Sequence, residues 1–170
     1  FFEKKLKNAE IVAINDLGSI EANAHLLKFD STHGTTNEDI KTNNSGFIIN
    51  NKKINVFAKR SPEELPWNKL KVDVVLECTG IFTSKEKAEL HIKSGAKKVI
   101  ISAPAKNVDA TIVQGVNNKN LNKNHKVISN GSCTTNCLAP IAMILNRSIG
   151  IVSGYMTTIH SFTGDQRTID

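Results

Sequence analysis

Short apolar runs, each stopping at a polar or glycine-bearing turn, alternate along this chain with stretches of helical spacing. That alternation admits few folds. Glu10-Ile11-Val12-Ala13-Ile14 ends at Asn15-Asp16 and reads as a buried strand running into a polar loop. Ile20, Ala24 and Leu27 fall at helical spacing over residues 19–27. Phe47-Ile48-Ile49-Asn50 and Ile54-Asn55-Val56-Phe57 flank Asn51-Lys52-Lys53 and predict a hairpin, although the turn lacks glycine. Ser61-Pro62 and Pro66 punctuate a loop. Val72-Asp73-Val74-Val75-Leu76-Glu77 is the next strand, closed by Cys78-Thr79-Gly80. Ser84 then has the place of an N-cap, with a helix over 85–93 and Gly95 just after it. Residues 98–102, 111–113 and 126–128 read as further strands. Strands alternating with helices predict an α/β fold with a parallel sheet, whose ligands sit at the carboxyl ends of the strands. Asn15, Asp16, Thr79, Gly80, Ser102 and the run from Asn130 to Cys133 all follow strand ends.

Beyond Cys133 the texture changes. Leu138, Ile141, Ala142 and Leu145 form a helical stripe, with Pro140 inside it, where a proline costs a backbone hydrogen bond and favours a bend. Residues 150–160 read as a long β-rich segment ending in His160. The boundary between two domains is placed near Ser132: residues 1–132 form one domain and 133–170 open a second. A length of 170 residues suits one to one and a half domains. The opening residues read as the tail of a helix already under way, and the last ones stop without a terminating signal, so truncation at both ends is expected.

Composition narrows the function classes. Hydrophobic residues make up 39% and charged residues 22%, a globular balance. No apolar run approaches the roughly 20 residues of a membrane helix, so no membrane role is expected. The net charge of +6 would suit nucleic acid or an anionic small molecule. The lysines are spread thinly, however, and aromatics are only 5%, too few for a single-strand stacking surface, so no dedicated nucleic acid is expected. The odd count of 3 cysteines, without a close pairing pattern, argues for a reducing, cytoplasmic compartment. The histidines have no metal-site spacing, so no metal is expected.

The chemistry concentrates in Asn130-Gly131-Ser132-Cys133-Thr134-Thr135-Asn136-Cys137. Cys133 lies between a strand end and a helix start, where backbone N–H groups and the helix dipole favour a thiolate. Ser132 and Thr134 flank it with hydroxyls able to hold an oxyanion or a phosphate, and Gly131 permits a tight turn. A lone cysteine is more often a small buried hydrophobe, which is the reading for Cys137. His160 ends an apolar run at a polar loop, and a Cys–His pair makes an activated nucleophile if the two meet in the fold. Asp16 is an acid at the end of an early strand, suited to ribose hydroxyls or to capping the following helix. The Gly-x-Gly-x-x-Gly loop that should precede it is absent from the chain.

The run from Ser129 through Cys133 to Pro140 resembles the active-site signature of glyceraldehyde-3-phosphate dehydrogenases. Other stretches resemble that family in order: Val12-Ala13-Ile14-Asn15-Asp16, His25-Leu26-Leu27-Lys28-Phe29-Asp30-Ser31, Glu77-Cys78-Thr79-Gly80-Ile81-Phe82, Ile101-Ser102-Ala103-Pro104-Ala105 and His160-Ser161-Phe162-Thr163-Gly164-Asp165-Gln166. The resemblance implies a Rossmann-type doubly wound parallel sheet lacking its first strand, followed by the start of an α+β catalytic domain. It implies Cys133 as the nucleophile and His160 as its base. It implies Ser132, Thr134 and Thr163 as phosphate-holding residues. NAD is the implied cofactor, contacted by Asn15, Asp16, Arg60, Thr79, Gly80 and Ser102. The implied reaction converts glyceraldehyde 3-phosphate and inorganic phosphate to 1,3-bisphosphoglycerate through a cysteine thioester, in a homotetramer. The alternatives are an erythrose-4-phosphate dehydrogenase, or a non-enzymatic role binding RNA or a partner. The family usually has alanine where Gly131 stands. By the same resemblance the glycine-rich phosphate loop would lie before Phe1, and the arginines that grip substrate phosphate after Asp170.

Overall fold

A computed structural model describes residues 8–163. The expected helix tail at the start and the Gly164-Asp165-Gln166 part of the last motif lie outside the described residues. Two four-stranded sheets carry the fold. In the first, β1 (Ala13–Asn15) runs parallel to β6 (Lys52–Phe57), which pairs antiparallel with β5 (Gly46–Ile49), itself antiparallel to β4 (Ile40–Asn43). The expected hairpin is β5–β6, with Ile49 opposite Lys52. Its turn needs no glycine because Asn50 and Asn51 take φ of 48° and 65° themselves. Asparagine tolerates this left-handed region better than other side chains, and a two-residue hairpin turn of this kind requires it at both positions.

Between β1 and β4 lie α1 (Ile20–Lys28) and a small hairpin of β2 (Phe29–Asp30) with β3 (Gly34–Thr35). Ser19 caps α1 by accepting from the Ala22 N–H. Phe47, Ile49 and Ile54 are buried in this half, with Ile14, Ile20 and Ala24 packed against them. Of the helical spacing read over 19–27, Ile20 and Ala24 therefore face a core, while Leu27 is exposed.

After the short α2 (Trp67–Leu70), the second sheet takes the order β7 (Val74–Glu77), β8 (Lys98–Ile101), β10 (Val127–Ser129), β9 (Ala110–Thr111), all parallel. The register sets Glu77 beside Ile101, Ile101 beside Ser129 and Ser129 beside Thr111. The carboxyl ends of four strands thus finish level. Helix α3 (Lys85–Lys93), capped by Ser84 as its sequence predicts, covers β8 and β10. Ala88, Val99, Ile101 and Val127 are fully buried there. Each fully buried Val or Ile stabilises the fold by roughly 1.5–3 kcal/mol. Asp109 ties the layers: it accepts from Lys85 Nζ at 2.6 Å and from the N–H groups of Lys126 and Val127 at 2.7 and 2.9 Å. The Lys85 bond, followed by those from Val127 and Lys126, holds its carboxyl pKa at about 2. A third cluster of Leu65, Trp67, Val72 and Ala96 receives Ala13 from β1, Val12 just before it and Val75 from β7, so both sheets share it.

Helix α4 (Cys133–Ser148) runs unbroken through Pro140, although the proline withholds a helical donor from the Asn136 carbonyl. The apolar stripe of α4 forms as its spacing predicts, and it is not buried: Ile141 is 52% exposed. Two expectations fail beyond Cys133. Residues 150–160 form no strand, and they are exposed. A β-strand needs a neighbour to receive its N–H and C=O groups, and no described residue runs alongside this segment. Cys137 is also exposed rather than a buried hydrophobe. Among the described residues no helix is long and apolar enough to cross a membrane.

Candidate functional site

The turn from β10 into α4 is built by short-range bonds. Ser129 is buried, and its Oγ donates to the Ala103 carbonyl at 2.7 Å while accepting from the Gly131 N–H at 3.0 Å. One hydroxyl so ties the end of β8 to the end of β10. Asn136 Nδ2 donates to the carbonyls of Asn130 and Ser132 at 2.6 and 2.9 Å, closing the loop from the helix side. Ser132 is the N-cap, its Oγ accepting from the Thr135 N–H at 2.9 Å. Cys133 is therefore the first residue of a helix of 16 residues, where the partial positive charge of the helix N-terminus acts on it. Neither Ser129 nor Asn136 was assigned a role from sequence. Both lie inside the quoted signature, and a buried serine or an asparagine one turn into a helix gives no local sign of which backbone groups it will satisfy.

Gly131 has φ of +70°, and a Cβ there would meet nothing closer than 3.6 Å. Space is available, but the backbone is left-handed. Gly131→Ala is expected to lower stability by about 1 kcal/mol, while Cys133 keeps its reactivity. Denaturant midpoints of the two proteins check this, and an unchanged or raised midpoint would show that the turn adopts another φ with alanine.

The structure brings the two reactive residues together. His160 Nε2 lies 3.1 Å from Cys133 Sγ, and His160 Nδ1 lies 2.6 Å from the Ser161 carbonyl. A carbonyl only accepts, so Nδ1 carries the hydrogen and Nε2 faces the sulfur as an acceptor. The His160 bond lowers the Cys133 thiol below its ordinary value, helped by Thr134 and opposed by burial. Thr134 is adjacent and half-buried, whereas Thr163 is exposed in the segment of His160. Proximity of a thiol to an imidazole acceptor is the arrangement of an activated sulfur nucleophile.

The remaining candidates sit at strand ends. Asp16 follows β1, and its Oδ1 accepts from the Gly18 N–H at 2.7 Å and from Asn23 Nδ2 at 3.1 Å. Those bonds lower its pKa, keeping it ionised, and Oδ2 accepts from no described residue. Asn15 is used differently. Its Nδ2 donates to the Lys59 carbonyl and its Oδ1 accepts from the Lys59 N–H, both at 2.9 Å. Its side chain holds the loop of Lys59 and the exposed Arg60. Thr79 and Gly80 follow β7 and Ser102 follows β8, all exposed at the level ends of the second sheet. Gly80 has φ of +75° with open space where a Cβ would be.

This geometry agrees with comparisons to known proteins. Residues 2–85 match the family described as glyceraldehyde 3-phosphate dehydrogenase, NAD binding domain, and residues 132–170 match the C-terminal domain of the same enzyme. A glyceraldehyde-3-phosphate dehydrogenase of Clostridium acetobutylicum is 56% identical over 161 residues, covering 95% of this chain and 48% of the relative. That of Zymomonas mobilis is 58% identical over 162 residues, with the same two shares of 95% and 48%. That of Geobacillus stearothermophilus is 54% identical over 172 residues, covering 99% and 51%. The chain spans about half the length of these curated relatives. A thiol paired with a histidine at a helix start, beside the level strand ends of a parallel sheet, and identity above one half along nearly the whole chain place it in the glyceraldehyde-3-phosphate dehydrogenase family.

Proposed function

We propose that the protein carrying this chain oxidises glyceraldehyde 3-phosphate with NAD and inorganic phosphate to 1,3-bisphosphoglycerate. The observation that carries this reading is the 3.1 Å approach of His160 Nε2 to Cys133 Sγ at the start of α4. The thiol proton passes to Nε2, and the thiolate attacks the aldehyde carbon. The imidazolium returns the proton to the new alkoxide, leaving a thiohemiacetal on Cys133. His160 then takes that hydroxyl proton as the carbon–oxygen double bond re-forms and C1 is oxidised to a thioester. Bound NAD supplies the hydride acceptor. Phosphate attacks the thioester carbonyl and expels the Cys133 thiolate as the acyl phosphate leaves. Ser132, Thr134 and Thr163 supply hydroxyls for the two phosphate groups. The chain's residues suit NAD: Asp16 offers a charged, outward Oδ2 to the ribose diol, and the bare Gly80 leaves room for a ligand against the backbone.

The domain division belongs to the same proposal, with residues 1–132 binding cofactor and 133–170 opening the catalytic domain; the start of the C-terminal family match at 132 supports it. A homotetramer in the cytoplasm is proposed on the family resemblance, and the exposed, unpaired Cys78, Cys133 and Cys137 suit a reducing compartment.

The test is NADH formation by the complete protein, with glyceraldehyde 3-phosphate and erythrose 4-phosphate compared and phosphate omitted in one arm. Phosphate-dependent turnover favouring the triose is expected; preference for the tetrose, or no turnover, refutes the reading. In the same assay NAD should be preferred over NADP, because Asp16 repels a 2′-phosphate. Asp16→Ala should narrow that preference by about tenfold, the scale of one hydrogen bond to a charged group.

A further inference from the structure

Glu77 closes β7 immediately before the Thr79–Gly80 loop, yet only 4% of it is exposed. His91 of α3 and Trp67 of α2 are each 5% exposed. The three form a line of hydrogen bonds that the catalytic chemistry does not use. Trp67 Nε1 lies 3.0 Å from His91 Nδ1, and His91 Nε2 lies 2.9 Å from Glu77 Oε2. The other carboxylate oxygen, Oε1, accepts from the Thr79 N–H at 2.8 Å and from Thr79 Oγ1 at 2.5 Å. Thr79 Oγ1 in turn accepts from the Ile81 N–H at 3.1 Å.

The direction of every bond follows from the indole. Its N–H can only donate, so His91 Nδ1 must be bare and the ring hydrogen must sit on Nε2. Nε2–H then requires an acceptor, and the Thr79 N–H and hydroxyl require another. Only an ionised carboxylate presents acceptors on both oxygens. Burial works against that charge, but the bonds from His91 and Thr79 outweigh it and lower the Glu77 pKa. The Thr79 hydroxyl is consumed inside the loop, so what Thr79 and Gly80 turn outward is backbone.

We propose that Trp67, by selecting the His91 tautomer, holds Glu77 as an acceptor on both oxygens and thereby sets the shape of the Thr79–Gly80 loop, making Trp67, His91 and Glu77 positioning residues for the dinucleotide. The inference rests on the reading above that this loop meets NAD.

A chemical frustration tests it. In Glu77→Gln one amide oxygen must serve both His91 Nε2–H and the Thr79 donors, while the new NH2 faces a donor. Trp67→Phe removes the group that pins the tautomer. In the double variant the ring hydrogen can move to Nδ1, where no indole N–H opposes it any longer. Nε2 then accepts from the Gln NH2, and the amide oxygen returns to Thr79. In the complete enzyme, Glu77→Gln should raise both KM and Kd for NAD by about tenfold with kcat within about twofold. The double variant should recover to within about threefold of wild type, although it unfolds more readily than either single variant. Nitrogen NMR of the His91 ring should find the hydrogen on Nε2 in wild type and on Nδ1 in the double variant. A network serving stability alone predicts the opposite ranking, with the double variant binding no better than Glu77→Gln. That ranking, an unchanged KM in Glu77→Gln, or a wild-type ring with its hydrogen on Nδ1 would overturn the proposal. If Glu77→Gln does not fold, the wild-type tautomer alone decides. Wild-type enzyme that binds no NAD refutes the functional reading itself, whereas wild-type binding with an indifferent Glu77→Gln refutes only the relay.

Discussion

Cys133→Ser in the complete enzyme is expected to end NADH formation from aldehyde and phosphate, a loss on the order of 10⁶-fold, the scale seen when a covalent nucleophile is removed. The serine hydroxyl is a far weaker nucleophile than a thiolate at neutral pH, and the His160 acceptor at 3.1 Å cannot compensate. Iodoacetamide gives a companion measurement with a built-in control. Cys78, Cys133 and Cys137 are all exposed, so access alone would label them alike. Of the three, Cys133 alone has both a histidine acceptor and the helix N-terminus, and these hold its own thiol below the ordinary value. Mass spectrometry should therefore find Cys133 alkylated first, with activity lost in step. The pH profile of that labelling should rise below the roughly 8.5 of a free thiol. Equal labelling of the three cysteines would show that the pair does not activate the sulfur.

His160→Asn should lower kcat by about 10²–10⁴, the usual contribution of a positioned general base. It should also carry the alkylation profile upward towards that of a free thiol, because the largest cause of the lowered Cys133 pKa is the His160 bond. The sign follows directly: removing the group that stabilises the deprotonated form raises the pH at which that form appears. What the helix N-terminus and Thr134 contribute should remain, leaving the profile of the variant short of the free-thiol value. A variant with unchanged kcat and an unmoved profile would mean that the 3.1 Å approach has no chemical consequence.

Much of the site was legible because its determinants are local. Ser84 caps its helix where its sequence position predicts, since a cap bond spans only a few residues, whereas α1 is capped by Ser19 and not by Asp16. The residues singled out at strand ends do stand at strand ends, because the apolar runs that make a parallel sheet stop where polar loops begin. The reading of residues 150–160 failed for the complementary reason. Their composition suits a strand, but β structure is completed by a neighbour, and none of the described residues provides one. Cys137 was misread because burial depends on what covers a helix face, which the spacing of α4 does not specify. Asn15 stands in a motif implied to contact cofactor, and only the folded structure shows its amide gripping Lys59, a residue 44 positions away.

The sequence by itself determined that Cys133 would open a helix after a tight glycine turn, because Gly131, Ser132 and the stripe of α4 act on their immediate neighbours. Tertiary structure alone decided that His160, 27 residues on, would meet that sulfur, and that Trp67 would reach Glu77 through a histidine 24 residues from it. Backbone hydrogen-bond rings and side-chain periods are settled within a turn or two of chain. Which distant polar groups share a buried acceptor is settled only when helices and sheets pack, since burial then makes an unpaired group too costly to leave.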